Sequence, residues 1–252
     1  MRILVCNDDG IEAPGLAFLA KTAARLSDDV WVVAPEVKHT AASGSITIAK
    51  PITMRKLGEQ RYSCSGKPAD CIVASMTWLF EGGKKPDLVI AGVNDGRNVA
   101  EDLAYSGTLA IAREATFWGV PAIGFSRAKG TGTWGEAELA YLADLIAAAY
   151  AERENWAGGT SFLSVNLPVT LPAAIVQATM AADKIASAVD VLAQDDDRTT
   201  FRLRRGRPYA ARAGDQNERL DAGCTVVARF DWAGQSTLPA PLLARLALPA
   251  VR

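Results

Sequence analysis

Short apolar runs of strand length alternate along this chain with longer segments whose apolar residues recur at helical spacing. This alternation is typical of a parallel sheet whose strands are joined by crossover helices. A chain of 252 residues is long enough for one large α/β domain, or for such a domain with a smaller appendage. The pattern therefore predicts an α/β fold with a mostly parallel sheet flanked by helices.

The predicted elements follow one another in strand–helix order before the pattern changes in the C-terminal part. Strand-like runs lie at residues 3–6, 30–34, 88–91, 122–125 and 162–165. Helical patterns lie at residues 15–26, 71–80, 108–118 and 137–152. Beyond residue 170, charged loops alternate with short strand-like pieces at residues 199–203 and 225–230. We therefore predict a core at residues 1–170 and a smaller C-terminal appendage at residues 171–252.

Charge and cysteine content argue against several classes of protein. The formal net charge of −1 gives no support to a general nucleic-acid or membrane-surface binder, which needs a basic excess. The 4 cysteines contain no Cys-x-x-Cys pair, so we expect reduced, structural thiols. No run approaches the roughly 20 apolar residues of a membrane span, and the first residues lack the features of a signal peptide. We therefore expect a cytoplasmic protein.

Two adjacent carboxylates directly follow the first predicted strand, in the sequence Asn7-Asp8-Asp9-Gly10. Adjacent carboxylates beside a buried strand repel each other unless a cation lies between them. Hard divalent cations such as Mg²⁺ prefer oxygen ligands of this kind. Taken alone, the cluster fits equally well a polar turn that caps the following helix.

Three further polar clusters are candidates for the same site. They are the loop at residues 39–45, which begins with His39 and Thr40, the segment at 92–98 with Asn94 and Asn98, and the helix start Ser106-Gly107-Thr108. Ligands of open parallel sheets bind beyond the carboxyl ends of the strands, and free N–H groups at a helix start bind phosphate. Together with the acidic pair, these clusters predict one site that combines metal ligands with a phosphate cradle.

Each cluster also has an ordinary structural interpretation. Ser106 can simply cap the helix that follows it, and the Asn/Gly-rich segment at 92–98 can be a turn. His39 is the sequence's one histidine, and a lone histidine is more often a surface or packing residue than a catalyst. The case for a site therefore depends on the clusters being taken together.

A series of short motifs that together resemble one protein family covers about the first half of the chain. They are Arg2-Ile3-Leu4-Val5, Asn7-Asp8-Asp9-Gly10, Ala13-Pro14-Gly15, Val32-Val33-Ala34-Pro35, Ser45-Ile46-Thr47, Gly66, Pro68-Ala69-Asp70-Cys71, Pro86-Asp87, Gly92-Val93-Asn94, Gly96, Asn98 and Tyr105-Ser106-Gly107-Thr108. In this order and at this spacing, they resemble the SurE family of 5′/3′-nucleotidases. The resemblance implies a Rossmann-like catalytic core and a C-terminal region that helps to build homodimers or homotetramers.

The resemblance also implies the role of each candidate residue. The implied metal ligands are Asp8, Asp9, Thr40 and Asn94. The implied phosphate contacts are Asn98, Ser106, Gly107 and Thr108. We expect one divalent cation per subunit, Mg²⁺ or Mn²⁺, and hydrolysis of nucleoside 5′- and 3′-monophosphates. In this hypothesis Asp8 or Asp9 orients the attacking water or accepts its proton, and His39 protonates the leaving oxygen.

The chain departs from the family pattern in several places. Thr40 stands where the family usually has serine, His39 where it often has arginine, and Arg97 where it frequently has proline. Arg97 could contact phosphate or could be a solvated charge. The sequence from Ala173 onwards matches poorly.

These departures keep an alternative open, a nucleotide- or phosphate-binding module on the same fold that has no catalytic activity. A dehydrogenase is a further alternative, but the chain lacks the Gly-x-Gly-x-x-Gly fingerprint of dinucleotide binding. We expect a nucleoside monophosphate as the substrate, and neither a membrane nor a stable nucleic-acid partner.

Overall fold

The computed structural model describes residues 1–132, 134–182, 188–204 and 212–232. Its main sheet contains β1 (Arg2–Cys6), β2 (Asp29–Pro35), β3 (Met54–Gly58), β4 (Arg61–Cys64), β5 (Leu88–Asp95), β6 (Ala122–Arg127), β7 (Ser161–Leu167), β8 (Ile175–Val176) and β11 (Thr225–Asp231). The strands β9 (Val189–Gln194) and β10 (Thr199–Leu203) form a separate antiparallel pair. The helices are α1 (Pro14–Ala24), α2 (Pro68–Ala74), α3 (Asp102–Tyr105), α4 (Gly107–Phe117), α5 (Glu136–Ala151), α6 (Arg153–Trp156) and α7 (Gln216–Asp221).

Within the described residues the main sheet has 9 strands, in the order β3-β4-β2-β1-β5-β6-β7-β11-β8. The strands from β4 to β7 in this order are parallel to their neighbours. The strands β3 and β11 join the two sides of this block in antiparallel orientation. This topology confirms the predicted mostly parallel α/β sheet.

Helices cover both faces of the central strands, which explains why these strands have continuous apolar sequences. Ile3 and Val5 of β1 pack into one core with residues of α1 and α5. Leu4 and Cys6 point to the other face and pack with residues of α2 and α4. All of these β1 side chains are completely buried. Burial of a large aliphatic side chain contributes about 1.5–3 kcal/mol, so the pattern strongly specifies a strand here.

Two of the observed elements extend beyond their predicted bounds. The strand β5 runs four residues beyond the predicted end at 91, to Asp95. The helix predicted at 71–80 begins earlier, at Pro68, and its last turns are a π-helix at Ser75–Leu79. The hairpin of β3 and β4 was not predicted, because β3 is a largely exposed edge strand with a charged sequence.

Part of the C-terminal region extends the main sheet. The strand β11 pairs antiparallel with β7, and β8 pairs with β11. The strands β9 and β10 carry exposed apolar side chains, including Val191 and Phe201. The division between core and appendage at residue 170 stays a prediction, and residues 233–252 of the predicted appendage lie outside the described residues.

In the part of the chain that the structure describes, no helix combines the length and the apolar character that a bilayer span requires. The cysteines Cys6, Cys64, Cys71 and Cys224 are free thiols, and the first three of them are buried. Cys71 of α2 lies beside Cys64 at the end of β4, and burial, together with the neighbouring thiols, raises the pKa of Cys71.

Candidate functional site

The strand register brings the acidic pair beside the end of β5. Cys6, the last residue of β1, pairs with Ala91 of the parallel strand β5. The residues that follow Cys6 and Ala91 therefore continue toward the same edge of the sheet. Asp8 and Asp9 therefore lie next to the segment that contains Asn94. The parallel arrangement of β1 and β5 explains this proximity, because parallel neighbours end at the same edge.

Asp8 is a buried carboxylate with little compensation for its charge. Asp8 is 7% exposed, and its Oδ1 accepts a hydrogen bond from Thr108 Oγ1 at 2.5 Å. Burial raises the pKa of Asp8 to about 6, and the negative charge of Asp9 acts in the same direction. The hydrogen bond from Thr108 lowers the pKa but does not offset these two effects. Within the described ranges, no cationic side chain forms an ion pair with Asp8.

The start of α4 lies directly against Asp8. A Cβ atom on Gly107 would be 2.7 Å from Asp8 Cβ and 2.8 Å from Asp8 Oδ2, so a side chain at this position would displace the carboxylate. Ser106 caps the helix, because its Oγ accepts a hydrogen bond from Leu109 N–H at 3.1 Å. The structure thus brings Ser106, Gly107 and Thr108 to the acidic pair, and it also contains the N-cap that was the alternative interpretation.

Asp9 faces a different set of partners from Asp8. Lys38 Nζ donates to its Oδ1, and the backbone N–H of Asp95 donates to its Oδ2 at 3.2 Å. The side chain of Lys38 is 49% exposed, whereas that of Asp9 is 9% exposed. Lys38 was not among the predicted site residues, although its position next to His39 in the candidate loop was a usable signal.

Asn94 is half-buried at the end of β5. Its Nδ2 donates to the carbonyl oxygen of Gly96 at 2.9 Å, and this contact orients the side chain. Its Oδ1 accepts no hydrogen bond from the residues that the structure describes. Asn94 therefore offers a neutral oxygen near Asp9, as a metal ligand requires.

The loop at residues 39–45 connects Asp8 with the α3–α4 junction. The backbone N–H of His39 donates to the carbonyl oxygen of Asp8 at 2.7 Å. Ser43 donates from its N–H to Tyr105 O at 3.0 Å and from its Oγ to Ala104 O at 2.8 Å. Thr40 follows His39 directly and is exposed. The loop therefore lies over the same edge of the sheet as the acidic pair.

The histidine of this loop is half-buried. Burial lowers the pKa of His39, and the positive charge of Lys67 lowers it further. Its backbone contact to Asp8 places the residue beside the acidic pair, and its role as a proton donor stays a prediction.

Asn98 is buried, and its polar groups contact the neighbouring strands. Its Nδ2 donates to Ser126 Oγ at 2.7 Å. Its N–H donates to Asn166 Oδ1 at 2.8 Å, and its carbonyl oxygen accepts from Asn166 Nδ2 at 2.9 Å. These contacts join the segment after β5 to β6 and β7, so the side chain has a clear structural function. Its phosphate contact stays a prediction.

Arg97 is more than a solvated charge, because its side chain contacts the C-terminal region, and its contact with phosphate stays a prediction. Its Nη2 forms an ion pair with Asp221 at 2.8 Å, and its Nη1 donates to Asn217 Oδ1 at 3.0 Å. Both partners belong to α7. Arg97 therefore ties the segment after β5 to the C-terminal region.

The oxygen atoms around the acidic pair fit a hard divalent cation. Among the described residues, Asp8 is a buried carboxylate without an ion-pair partner, the Asn94 oxygen accepts no hydrogen bond, and Asp9 is paired with the half-exposed Lys38. Over the described ranges, no group of three or more His, Cys, Asp or Glu side chains could hold a metal ion. A cation at this place would therefore need neutral oxygens from residues such as Thr40 and Asn94 as well as the two carboxylates.

Comparison with known proteins connects this arrangement to one family. The family model described as "Survival protein SurE" matches residues 3–188. The crystal structure of the SurE protein from Aquifex aeolicus superimposes with a TM-score of 0.76 at 26% sequence identity, over 93% of this chain and 95% of that chain. The fold is thus shared over most of the chain.

Curated relatives carry the name 5′-nucleotidase SurE. The protein from Methylobacterium radiotolerans is 51% identical over 132 residues, which is 52% of this chain and 52% of the relative. The protein from Caulobacter vibrioides is 45% identical over 159 residues, 63% of this chain and 56% of the relative. The chain spans about half the length of the first of these relatives. The family match over residues 3–188 and the shared fold lead to one conclusion, that this chain belongs to the SurE family.

Proposed function

We propose that this chain is a divalent-metal-dependent phosphomonoesterase that hydrolyses nucleoside 5′- and 3′-monophosphates to nucleoside and phosphate. The observation that carries the proposal is the contact between the buried carboxylate of Asp8 and the start of α4 at Gly107 and Thr108. This contact joins a candidate cation site to a candidate phosphate site. The names of the relatives support the 5′-nucleotidase part of the proposal.

The proposed cofactor is one divalent cation per subunit, Mg²⁺ or Mn²⁺, held by Asp8, Asp9, Thr40 and Asn94. When bound, such a cation supplies Lewis acidity toward the phosphoryl group and toward water. The half-exposed Lys38 would have to leave Asp9 for the carboxylate to accept the cation. The buried carboxylate of Asp8 needs no such exchange.

The first turn of α4 would hold the phosphoryl oxygens. The N–H groups of Gly107 and Thr108 donate to no acceptor among the residues described, as expected in a first helical turn. N–H groups in this position favour an anion, and the helix dipole acts in the same direction. The hydroxyl of Thr108 meanwhile keeps the Asp8 carboxylate oriented. The phosphoryl group would thus lie between the helix start and the carboxylates.

Proton transfers would fall to the acidic pair and to the loop that covers it. Asp8 or Asp9 would orient the attacking water or accept its proton, because both lie at the proposed phosphoryl position. His39, which the backbone bond to Asp8 positions, would protonate the leaving oxygen. The proposal further includes a cytoplasmic location, which fits the free thiols, and a homodimer or homotetramer.

Phosphate release from 5′-AMP and 3′-AMP tests this function directly. We expect release with Mg²⁺ or Mn²⁺, its loss with EDTA, and its return when the metal is added back in excess. Binding of AMP with no phosphate release under any metal would overturn the proposal and favour the non-catalytic binding module. That module is motivated by the threonine at position 40 and the histidine at position 39.

A further inference from the structure

A cavity of about 370 Å³ opens beside Asp9, next to the start of α1. Asp9 and Asn94 contribute to its wall, so it is continuous with the candidate metal site. Pro14, Lys129 and Trp134 also line the cavity. Small-molecule sites have volumes of roughly 300–1,000 Å³, so the cavity is large enough for a compact ligand.

Trp134 forms an aromatic wall whose orientation is held by two packed neighbours. The guanidinium carbon of Arg127 lies 4.3 Å from the centroid of the Trp134 ring. The ring of Phe18, on α1, lies 4.2 Å from the same ring at an interplanar angle of 44°. Trp134 nevertheless remains 38% exposed and lines the cavity. The ring is therefore packed on one part of its surface and available to a ligand on another.

The Arg127 side chain, which also lines the cavity, is itself built into the fold. Arg127 is only 5% exposed, and its Nη2 donates to the carbonyl oxygen of Val169 at 2.5 Å. A Cβ atom on Gly132 would be 2.2 Å from Val169 O and 2.3 Å from Arg127 Nη2, so the loop packs against both residues. The wall is thus pre-organised, which reduces the entropic cost of binding a ligand.

Four of the five charged side chains around the cavity form two ion pairs. Lys38 pairs with Asp9, and Lys129 Nζ lies 3.5 Å from Asp95 Oδ2. A second phosphate group would therefore meet two carboxylates, and the fifth charge, on Arg127, is buried and already bonded to Val169 O. A neutral ligand with a flat apolar face and polar edges matches an aromatic wall with a charged rim better.

We propose that this cavity is the nucleoside subsite, in which the base of the substrate stacks on Trp134. The proposal rests on the proposed function, because it assumes that the phosphoryl group is held at Asp8 and the start of α4. The base would lie on the Asp9 side of the acidic pair. Trp134 would then determine the preference for nucleotides over phosphomonoesters that lack an aromatic ring.

The test compares 5′-AMP with ribose 5-phosphate, which has the same phosphorylated sugar without the base. Base–aromatic stacking is worth about 1–3 kcal/mol, so Trp134→Ala should raise KM for 5′-AMP about 5- to 150-fold. It should leave kcat for 5′-AMP and KM for ribose 5-phosphate nearly unchanged. Trp134→Phe should retain most of the wild-type KM for 5′-AMP. Trp78→Ala removes a tryptophan that is 54% exposed and lies outside the cavity, so it is the matched control.

Calorimetric binding of adenosine separates this proposal from the proposed function, because it requires no hydrolysis. We expect the wild-type protein and Trp134→Phe to bind adenosine and Trp134→Ala to lose this binding. If no substrate is hydrolysed but this binding pattern is found, the subsite stands while the proposed activity fails. An unchanged KM for 5′-AMP in Trp134→Ala, an equal rise in KM for both substrates, or no adenosine binding by the wild-type protein would overturn the subsite.

Discussion

Thr108 Oγ1 donates a hydrogen bond to Asp8 Oδ1 at 2.5 Å, and this bond joins the start of α4 to the end of β1 across 100 positions of sequence. Asp8 is buried, so the bond is the main polar support of a carboxylate that water hardly reaches. The relationship makes Thr108 a positioning residue for Asp8 in addition to its proposed contact with phosphate.

Replacement of Thr108 by valine keeps the shape of the side chain and removes the donor. We expect phosphate release from AMP to fall about 10- to 100-fold, as for other residues that orient a metal ligand. An unsatisfied buried acceptor costs about 1–3 kcal/mol, so a lower melting temperature should accompany the loss. Thr108→Ser restores the hydroxyl and should recover most of the activity. Equal activities in the valine and serine variants would contradict this role.

Gly107→Ala tests the close packing of α4 against the acidic pair. The added Cβ would lie 2.7 Å from Asp8 Cβ, so the carboxylate or the helix start has to move. A displacement of about 1 Å at a catalytic group typically costs about 100-fold in rate, and we expect a loss of that size. The control is Gly83→Ala, whose Cβ would have an ordinary distance of 3.8 Å to Phe80 O. Full activity of Gly107→Ala would show that this contact does not matter.

Asp9→Asn removes one negative charge from the proposed cation site and keeps the size of the side chain. We expect phosphate release to fall to background in Mg²⁺ and in Mn²⁺, with an unchanged circular dichroism spectrum. The fold should persist because the ion pair that is lost involves the half-exposed Lys38. Substantial turnover by Asp9→Asn with either metal would count against the assignment of Asp9 as a ligand.

Lys38→Ala should strengthen the binding of the cation. The ammonium group of Lys38 lies on the carboxylate that the cation would need, so the two compete for Asp9. Partly exposed ion pairs contribute up to about 1 kcal/mol, which corresponds to a two- to fivefold lower half-saturating Mg²⁺ concentration. Lys129→Ala, which disrupts the pair with Asp95, is the matched variant and should have a smaller effect. Titration of Mg²⁺ followed by calorimetry checks the difference, and a weaker affinity in Lys38→Ala would contradict the competition.

Arg97→Ala separates stability from catalysis. Because Arg97 pairs with Asp221 and Asn217 of α7, its loss should lower the free energy of unfolding by about 0.5–1 kcal/mol. The KM for AMP should stay within about twofold of wild type, which corresponds to less than about 0.4 kcal/mol. Chemical denaturation and steady-state kinetics measure the two quantities. A raised KM with unchanged stability would instead assign Arg97 to the phosphate.

The central strands could be predicted because burial on both faces demands an uninterrupted apolar run. Residues 3–6 and 88–91 were identified for this reason, and both lie in the centre of the sheet. The edge strand β3 has a charged, largely exposed sequence, so its pattern carries no such signal. The prediction thus succeeded where burial constrains the sequence and missed an element where it does not.

The alternation of strands and helices, the polar clusters at the strand ends and the resemblance to the SurE family could all be read from the amino-acid sequence. These features are local, since each depends on residues that are close together along the chain. The support of Asp8 by Thr108, the pairing of Lys38 with Asp9, and the wall formed by Trp134 and Arg127 became visible only in the folded protein. Contacts of this kind join distant segments, and a side chain's partner across such a distance is set by the packing of whole elements, which no local pattern encodes.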